Sequence, residues 1–199
     1  MSANLSLYLS MASFALVASI TPGPVNILVL GNALQYGFRP SLRPVFGATA
    51  GFCLLFLLIG LGLHQLLTQS PEISLVIKWA GIAFLLYLAF KLATDSGQIG
   101  TTTTTKVPSI MAGATLQWLN PKAWMASVAG MGAFIGDGNT TLLLQFVALY
   151  FVICFSSVGC WAVAGAFLRR YLNNAVLVRR FNRCMALLLA ASAVYLMMH

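Results

Sequence analysis

Thr21-Pro22-Gly23-Pro24-Val25-Asn26 breaks a run of apolar residues, Leu5 to Leu34, that otherwise reads as one helix. Thirty helical residues reach roughly 45 Å at 1.5 Å per residue, whereas the hydrocarbon core of a bilayer is about 30 Å thick. Each proline lacks the backbone N–H and crowds the turn before it, so the hydrogen-bond ladder stops there. Backbone freed of its partners at membrane depth is tolerated only where protein buries it or where it lines a polar cavity. The break is therefore a candidate site.

A second break answers it. Asn120-Pro121-Lys122 interrupts the apolar run from Ile110 to Ile135, and Pro22 and Pro121 lie 99 residues apart in a chain of 199. Thr21 and Asn120 are read as N-cap residues, each followed by a proline at the first helical position, where no N–H is required. Each break then opens a half-helix with free N–H groups and the positive end of a helix dipole. Corresponding Pro/Gly interruptions in two halves point to the binding site of a transporter.

Composition agrees with a membrane setting. The chain is 60% hydrophobic and only 7% charged, with mean hydropathy +0.90; an ordinary soluble chain is about 25% charged. Six apolar stretches fill it: the broken first span, Val45 to Leu67, Ile73 to Leu92, the broken Ile110 to Ile135, Leu142 to Leu168, and Cys184 to Met198. The reading is a single all-α integral membrane domain over 1–199. It consists of six transmembrane helices in two inverted three-helix repeats, about 1–99 and 100–199, the first helix of each broken at proline. The linker Thr94 to Pro108, with five consecutive threonines, divides them. The N-terminus lacks a basic leader region and is read as a retained first span.

The net charge of +8 does not argue for nucleic acid, because the cations lie where topology would put them. Loops one (Gln35 to Pro44), three and five (Arg169 to Arg183) hold nine of the eleven cations, while loops two and four hold only Glu72 and Asp137. By the positive-inside rule both termini face outward. Cys53, Cys154, Cys160 and Cys184 form no C-x-x-C pair and no metal-ligand spacing, and are read as packing residues. No cofactor or metal is implied.

Lys122 and Lys78 are the two cations outside the basic loops. A lysine at the centre of a membrane helix costs roughly 2.5–3.5 kcal/mol, so it has a partner or a wet cavity. Lys78 is close enough to an end of its span to snorkel. Lys122 sits in the first turn of a half-helix, where a cation opposes the dipole. Two readings stand: it meets an anion such as an amino-acid carboxylate, or it stretches along the break to the interface or pairs with backbone carbonyls. Asn26 offers donor and acceptor to a zwitterion, or ties two helices; Gln117, one turn before the second break, is a similar candidate. Trp118 and Trp124 flank that break. No acidic residue lies deep in a span, which weighs against a cationic cargo. For proton coupling Asp95, Lys122 and His64 are candidates, unranked.

At these residues the chain resembles a known family. "TPGPVN", a basic first loop and "LQWLNPKA" are similar to the LysE/RhtB superfamily of amino-acid exporters over essentially the whole chain. "WAGIAFLLYLAFKLATD" and "CWAVAGAFLRR" look most like the cysteine/O-acetylserine exporter branch of the RhtB family. "VN" stands after the second proline where "NN" or "NM" is frequent. The resemblance implies a six-span protein of the bacterial inner membrane that exports small neutral amino acids or derivatives, driven by the proton motive force. Carried over by motif, the functional positions are Thr21, Pro22, Gly23, Pro24, Asn26, Asn120, Pro121 and Lys122. The implied partners are an amino-acid substrate and the lipid bilayer, with a homodimer left open.

Two other classes compete. A membrane thiol oxidoreductase needs a cysteine at each break, since exchange requires two sulfurs in reach, and neither break has one. A non-transporting membrane subunit would find little soluble surface on such short loops and leaves the intramembrane lysine unexplained.

Overall fold

The computed structural model describes residues 2–63, 71–94, 109–135, 139–171 and 175–198. Among them every regular element is helical. In chain order these are α1 (Ser2–Ile20), α2 (Pro24–Tyr36), α3 (Phe38–Leu58), α4 (Pro71–Ala93), α5 (Ile110–Trp118), α6 (Pro121–Phe134), α7 (Thr140–Leu168) and α8 (Ala175–Met198), with a π turn, Ile59–Leu63, closing α3. The axes of α1 and α2 are bent by 58° at the first break.

Among the described residues, two helices are long and apolar enough to cross a membrane alone, Phe38–Gly62 and Thr140–Leu168, and the bent α1–α2 pair makes a third if it is counted as one span. Helix α7 shows why a membrane suits them. Its inner residues Leu143, Phe146, Tyr150 and Cys154 are buried, while Leu144, Val152 and Val163 are exposed on the opposite side. A helix apolar on every face is stable only inside a large core or in lipid.

Several ends are set by local chemistry. Ser109 accepts the N–H of Ala112 at the start of α5 (3.1 Å), and Asn139 accepts that of Leu142 at the start of α7 (3.0 Å), both side-chain caps. Between α2 and α3 stands only Gly37, at φ +88°, a left-handed conformation glycine adopts without steric cost.

Two loop boundaries are corrected. Gln35 to Pro44 is not a loop: α3 already begins at Phe38, so Arg39 and Arg43 are helical. Proline read as a loop signal here, but Pro40 falls in a first turn, where N–H groups have no helical partner anyway. Likewise the last helix begins at Ala175, not near Cys184, and carries Arg179, Arg180 and Arg183 on its exposed surface. Long basic side chains reach water from a helix end, so charge marks the membrane boundary and not the helix boundary.

Helices α3 and α5 form the closest crossing. A Cβ on Gly47 would lie 1.8 Å from the carbonyl oxygen of Ile110, and one on Gly113 would lie 2.2 Å from that of Pro44. The Gly47–Gly51 spacing thus serves backbone-to-backbone approach. Gly47→Ala should lower the unfolding temperature in detergent, at a cost of about 1–3 kcal/mol from overpacking. Gly132→Ala, with open space around its Cβ, should leave it unchanged; equal behaviour of the two would refute the crossing. Helix α7 packs on α1, α2 and α3, and α4 packs chiefly on α8. An aromatic group at the centre, Phe14, Phe52, Phe56, Phe134, Phe146 and Tyr150, fills the space among α1, α3, α6 and α7.

Candidate functional site

Where the ladder of α1 runs out, the carbonyls of Ser19, Ile20 and Thr21 need partners from outside it. Four side chains from three parts of the chain supply partners. Thr21 Oγ1 donates to the Val17 carbonyl. Asn26 Nδ2 donates to the carbonyls of Ser19 (2.9 Å) and Thr21 (2.8 Å). Trp161 Nε1 of α7 donates to that of Ile20 (3.1 Å). Lys122 Nζ crosses from the second break to donate to the Thr21 carbonyl at 2.7 Å.

Thr21 is therefore not an N-cap. Its backbone N–H and hydroxyl both turn back to Val17, closing α1. Helix α2 starts at Pro24, with Gly23 extended at its N-cap position and no side-chain cap. The second proline decides this. A helix begun at Pro22 would need Gly23 in the helical region, which the ring of the following Pro24 disfavours. At the second break no second proline intervenes. Asn120 caps α6 as expected, accepting the N–H of Lys122 at 3.2 Å with Pro121 at the first position.

Asn120 also donates to Gln117 Oε1 (3.2 Å), so Asn120 and Gln117, both buried, form one polar unit. Trp124 Nε1 donates to the Trp118 carbonyl (2.7 Å), and Trp118 Nε1 to that of Gly51 (3.0 Å). The stem of Lys122 lies on Gly23, where an added Cβ would meet its Cδ at 3.2 Å. Both readings of Lys122 bear on this geometry. Its ammonium opposes the dipole of α6 but faces the negative end of α1, and the carbonyl it holds is one an anion would compete with.

Ser19, Asn26, Gln117, Asn120 and Lys122 share a cavity of about 30 Å³ with Phe52, Tyr150, Cys154 and Val158. That is room for about one water, so the two breaks are drawn together around a small centre. Of the residues expected at the site, Gly23, Asn26, Gln117, Asn120 and Lys122 meet there. Thr21 contributes its carbonyl, Pro24 is buried, Pro22 is exposed, and Pro121 is half-buried. Asp95 and His64 lie outside the described residues. Sequence reasoning missed Ser19, Tyr150, Cys154 and Trp161; Ser19 alone carried a signal, lying in the turn before the break.

A second, larger cavity of about 750 Å³ lies between α2, α3, α4, α5 and α8. Val25 lines both cavities. Cys154 accepts from Thr49 Oγ1 at 3.8 Å, and Cys53 and Cys154 are buried free thiols on α3 and α7.

Residues 16–199 match the LysE type translocator family. Cysteine/O-acetylserine efflux proteins of Escherichia coli (strain K12), Shigella flexneri serotype 5b (strain 8401) and Shigella sonnei (strain Ss046) are each 31% identical to this chain over 186 residues, 92% of it and 91% of the relative. No solved structure matches significantly. The family match spans both breaks and everything after them, and the chain belongs to the LysE translocator family.

Proposed function

We propose that this protein is a secondary exporter of a small neutral α-amino acid or close derivative, of the cysteine/O-acetylserine type. It carries its cargo outward across the bacterial inner membrane by alternating access around the two breaks, driven by the proton motive force. The observation that carries this reading is the hydrogen bond from Lys122 Nζ to the Thr21 carbonyl, joining residues 101 apart in sequence beside a small cavity that both breaks line. A cargo carboxylate is a stronger partner for the ammonium than a carbonyl, and by taking Lys122 it loosens the tie between the halves. None of the described residues lining the cavity is acidic, which favours a neutral cargo over a cationic one.

Packing supports six spans in two inverted repeats. Exchange the first span (α1–α2) with the fourth (α5–α6), the second (α3) with the fifth (α7), and the third (α4) with the sixth (α8). The packing of α1–α2 on α7 then becomes that of α5–α6 on α3, while the α3–α7 and α4–α8 contacts map onto themselves. Gly165 of α7 abuts Leu30 of α2, while Gly60, past α3, abuts Leu143 of α7 and Met131 of α6. The larger cavity lies at the end of the bundle holding Tyr36, Lys91 and Ser109. Arg169 Nη1 would lie 3.1 Å from a Cβ on Gly37 at that end. The positive-inside rule makes it the cytoplasmic end and puts both termini outside.

The test is counterflow in proteoliposomes loaded singly with cysteine, O-acetylserine, serine, threonine, homoserine, leucine or lysine. Exchange of a small neutral member without lysine is the expected result. No exchange by folded protein, or exchange of lysine alone, would overturn the reading.

A further inference from the structure

The first turns of α8 carry charge that its neighbours do not answer. Arg179, Arg180 and Arg183 are all exposed there. At about 100° per residue the three fall within roughly 100° of arc on one face. Arg183 stands four residues after Arg179 and three after Arg180, spacings at which side chains are neighbours on a helix surface and like charges repel. Helix α8 contains no acidic residue, nor does α2 beside it, and α4 has only Glu72, in its first turn, at the end opposite Lys91. The chain has three carboxylates against eleven lysines and arginines. Asp95, which follows α4 and lies outside the described residues, answers one arginine at most.

The same face continues as apolar surface. Leu187 and Val194 are 70% and 51% exposed, and both stay within about 40° of Arg183 around the helix. Val194 lies roughly 16 Å from Arg183 along the axis, against about 15 Å for one leaflet of a 30 Å core. Guanidinium forks suit phosphate, and an apolar stripe one leaflet deep suits an acyl chain. A soluble phosphate would leave the stripe unused. A second copy of this chain, packed here about a two-fold axis along the membrane normal, would set arginines against arginines.

We infer that this face of α8 binds an anionic phospholipid, whose phosphate Arg179, Arg180 and Arg183 share and whose acyl chain lies along Leu187 and Val194. The cytoplasmic leaflet follows from the orientation proposed above; the binding chemistry depends on neither orientation nor cargo. Helix α8 packs on α4 and reaches α2 through Val178 against Leu34, so lipid on its outer face removes the repulsion and steadies the α4–α8 pair.

Thermal unfolding and native mass spectrometry of the purified full-length protein in neutral detergent test this, with dioleoylphosphatidylglycerol or dioleoylphosphatidylcholine added. The anionic lipid should raise the unfolding temperature and stay bound; phosphatidylcholine and free inorganic phosphate should do neither. Arg179→Gln, Arg180→Gln and Arg183→Gln together should weaken retention on the order of a hundredfold, at roughly fivefold per arginine. Arg39→Gln, Arg43→Gln and Arg170→Gln, an equal loss of charge at other exposed positions, should retain the lipid. Where the first triple variant does not fold, Arg183→Gln alone, with its fivefold effect, takes its place. Equal weakening by the two triple variants would show an effect of net charge and overturn the site. So would phosphatidylcholine held as tightly, free phosphate giving the same stabilisation, or a dimer that the first variant splits without releasing lipid.

Discussion

Lys122→Met should reduce counterflow about ten- to a hundredfold while leaving a folded protein. The size follows from the interaction lost. A hydrogen bond to a charged group is worth about 1.5–3 kcal/mol, and each 1.4 kcal/mol is roughly tenfold in an equilibrium constant. Folding should survive because the Thr21 carbonyl keeps its second donor, Asn26 Nδ2 at 2.8 Å. Lys122→Arg should not restore transport. The lysine stem passes within 3.2 Å of the Cβ position of Gly23, and a planar guanidinium with a fixed fork does not replace a compact ammonium there. Methionine at wild-type rates would mean that the tie between the breaks is structural and that cargo is bound elsewhere.

The largest effect on stability is expected at Asn26. Its side chain is 4% exposed and its amide nitrogen alone reaches both Ser19 and Thr21 carbonyls. Asn26→Leu is close in volume but removes both bonds and strands a carbonyl among apolar neighbours. Two lost hydrogen bonds, one with a buried acceptor left behind, cost about 2–4 kcal/mol. For a chain of this size that is on the order of 10 °C in unfolding temperature, read by thermal unfolding in detergent. An unchanged temperature would show that the α1 carbonyls are satisfied without Asn26.

The two breaks were legible because proline acts locally: a missing N–H interrupts a helix whatever surrounds it. The family was legible for the same reason, its marks being contiguous strings around those prolines. The cap at Asn120 was read correctly and that at Thr21 was not, since the Thr-Pro rule looks one residue ahead and Pro24 overrides it from two residues further on. Arg39, Arg179 and Arg183 were placed in loops because charge was taken to end a helix, where it ends only the lipid-facing part. The ties of Lys122 to Thr21 and of Trp161 to Ile20 were beyond reach. They depend on where helices 101 and 141 residues apart in sequence come to lie, and nothing local encodes that. The larger cavity belongs to the same class, being a gap among five helices.

Three of the four tryptophans point their ring nitrogens at backbone carbonyls in or beside the broken spans: Trp118 at Gly51, Trp124 at Trp118, and Trp161 at Ile20. The fourth, Trp79, is exposed on α4. Indole emission responds to hydrogen bonding and to local polarity, so the light this protein emits comes largely from the place where its two halves meet. It needs no attached dye to be observed there. With Trp79 replaced by phenylalanine, its ultraviolet fluorescence becomes an optical record of the surroundings of the two breaks.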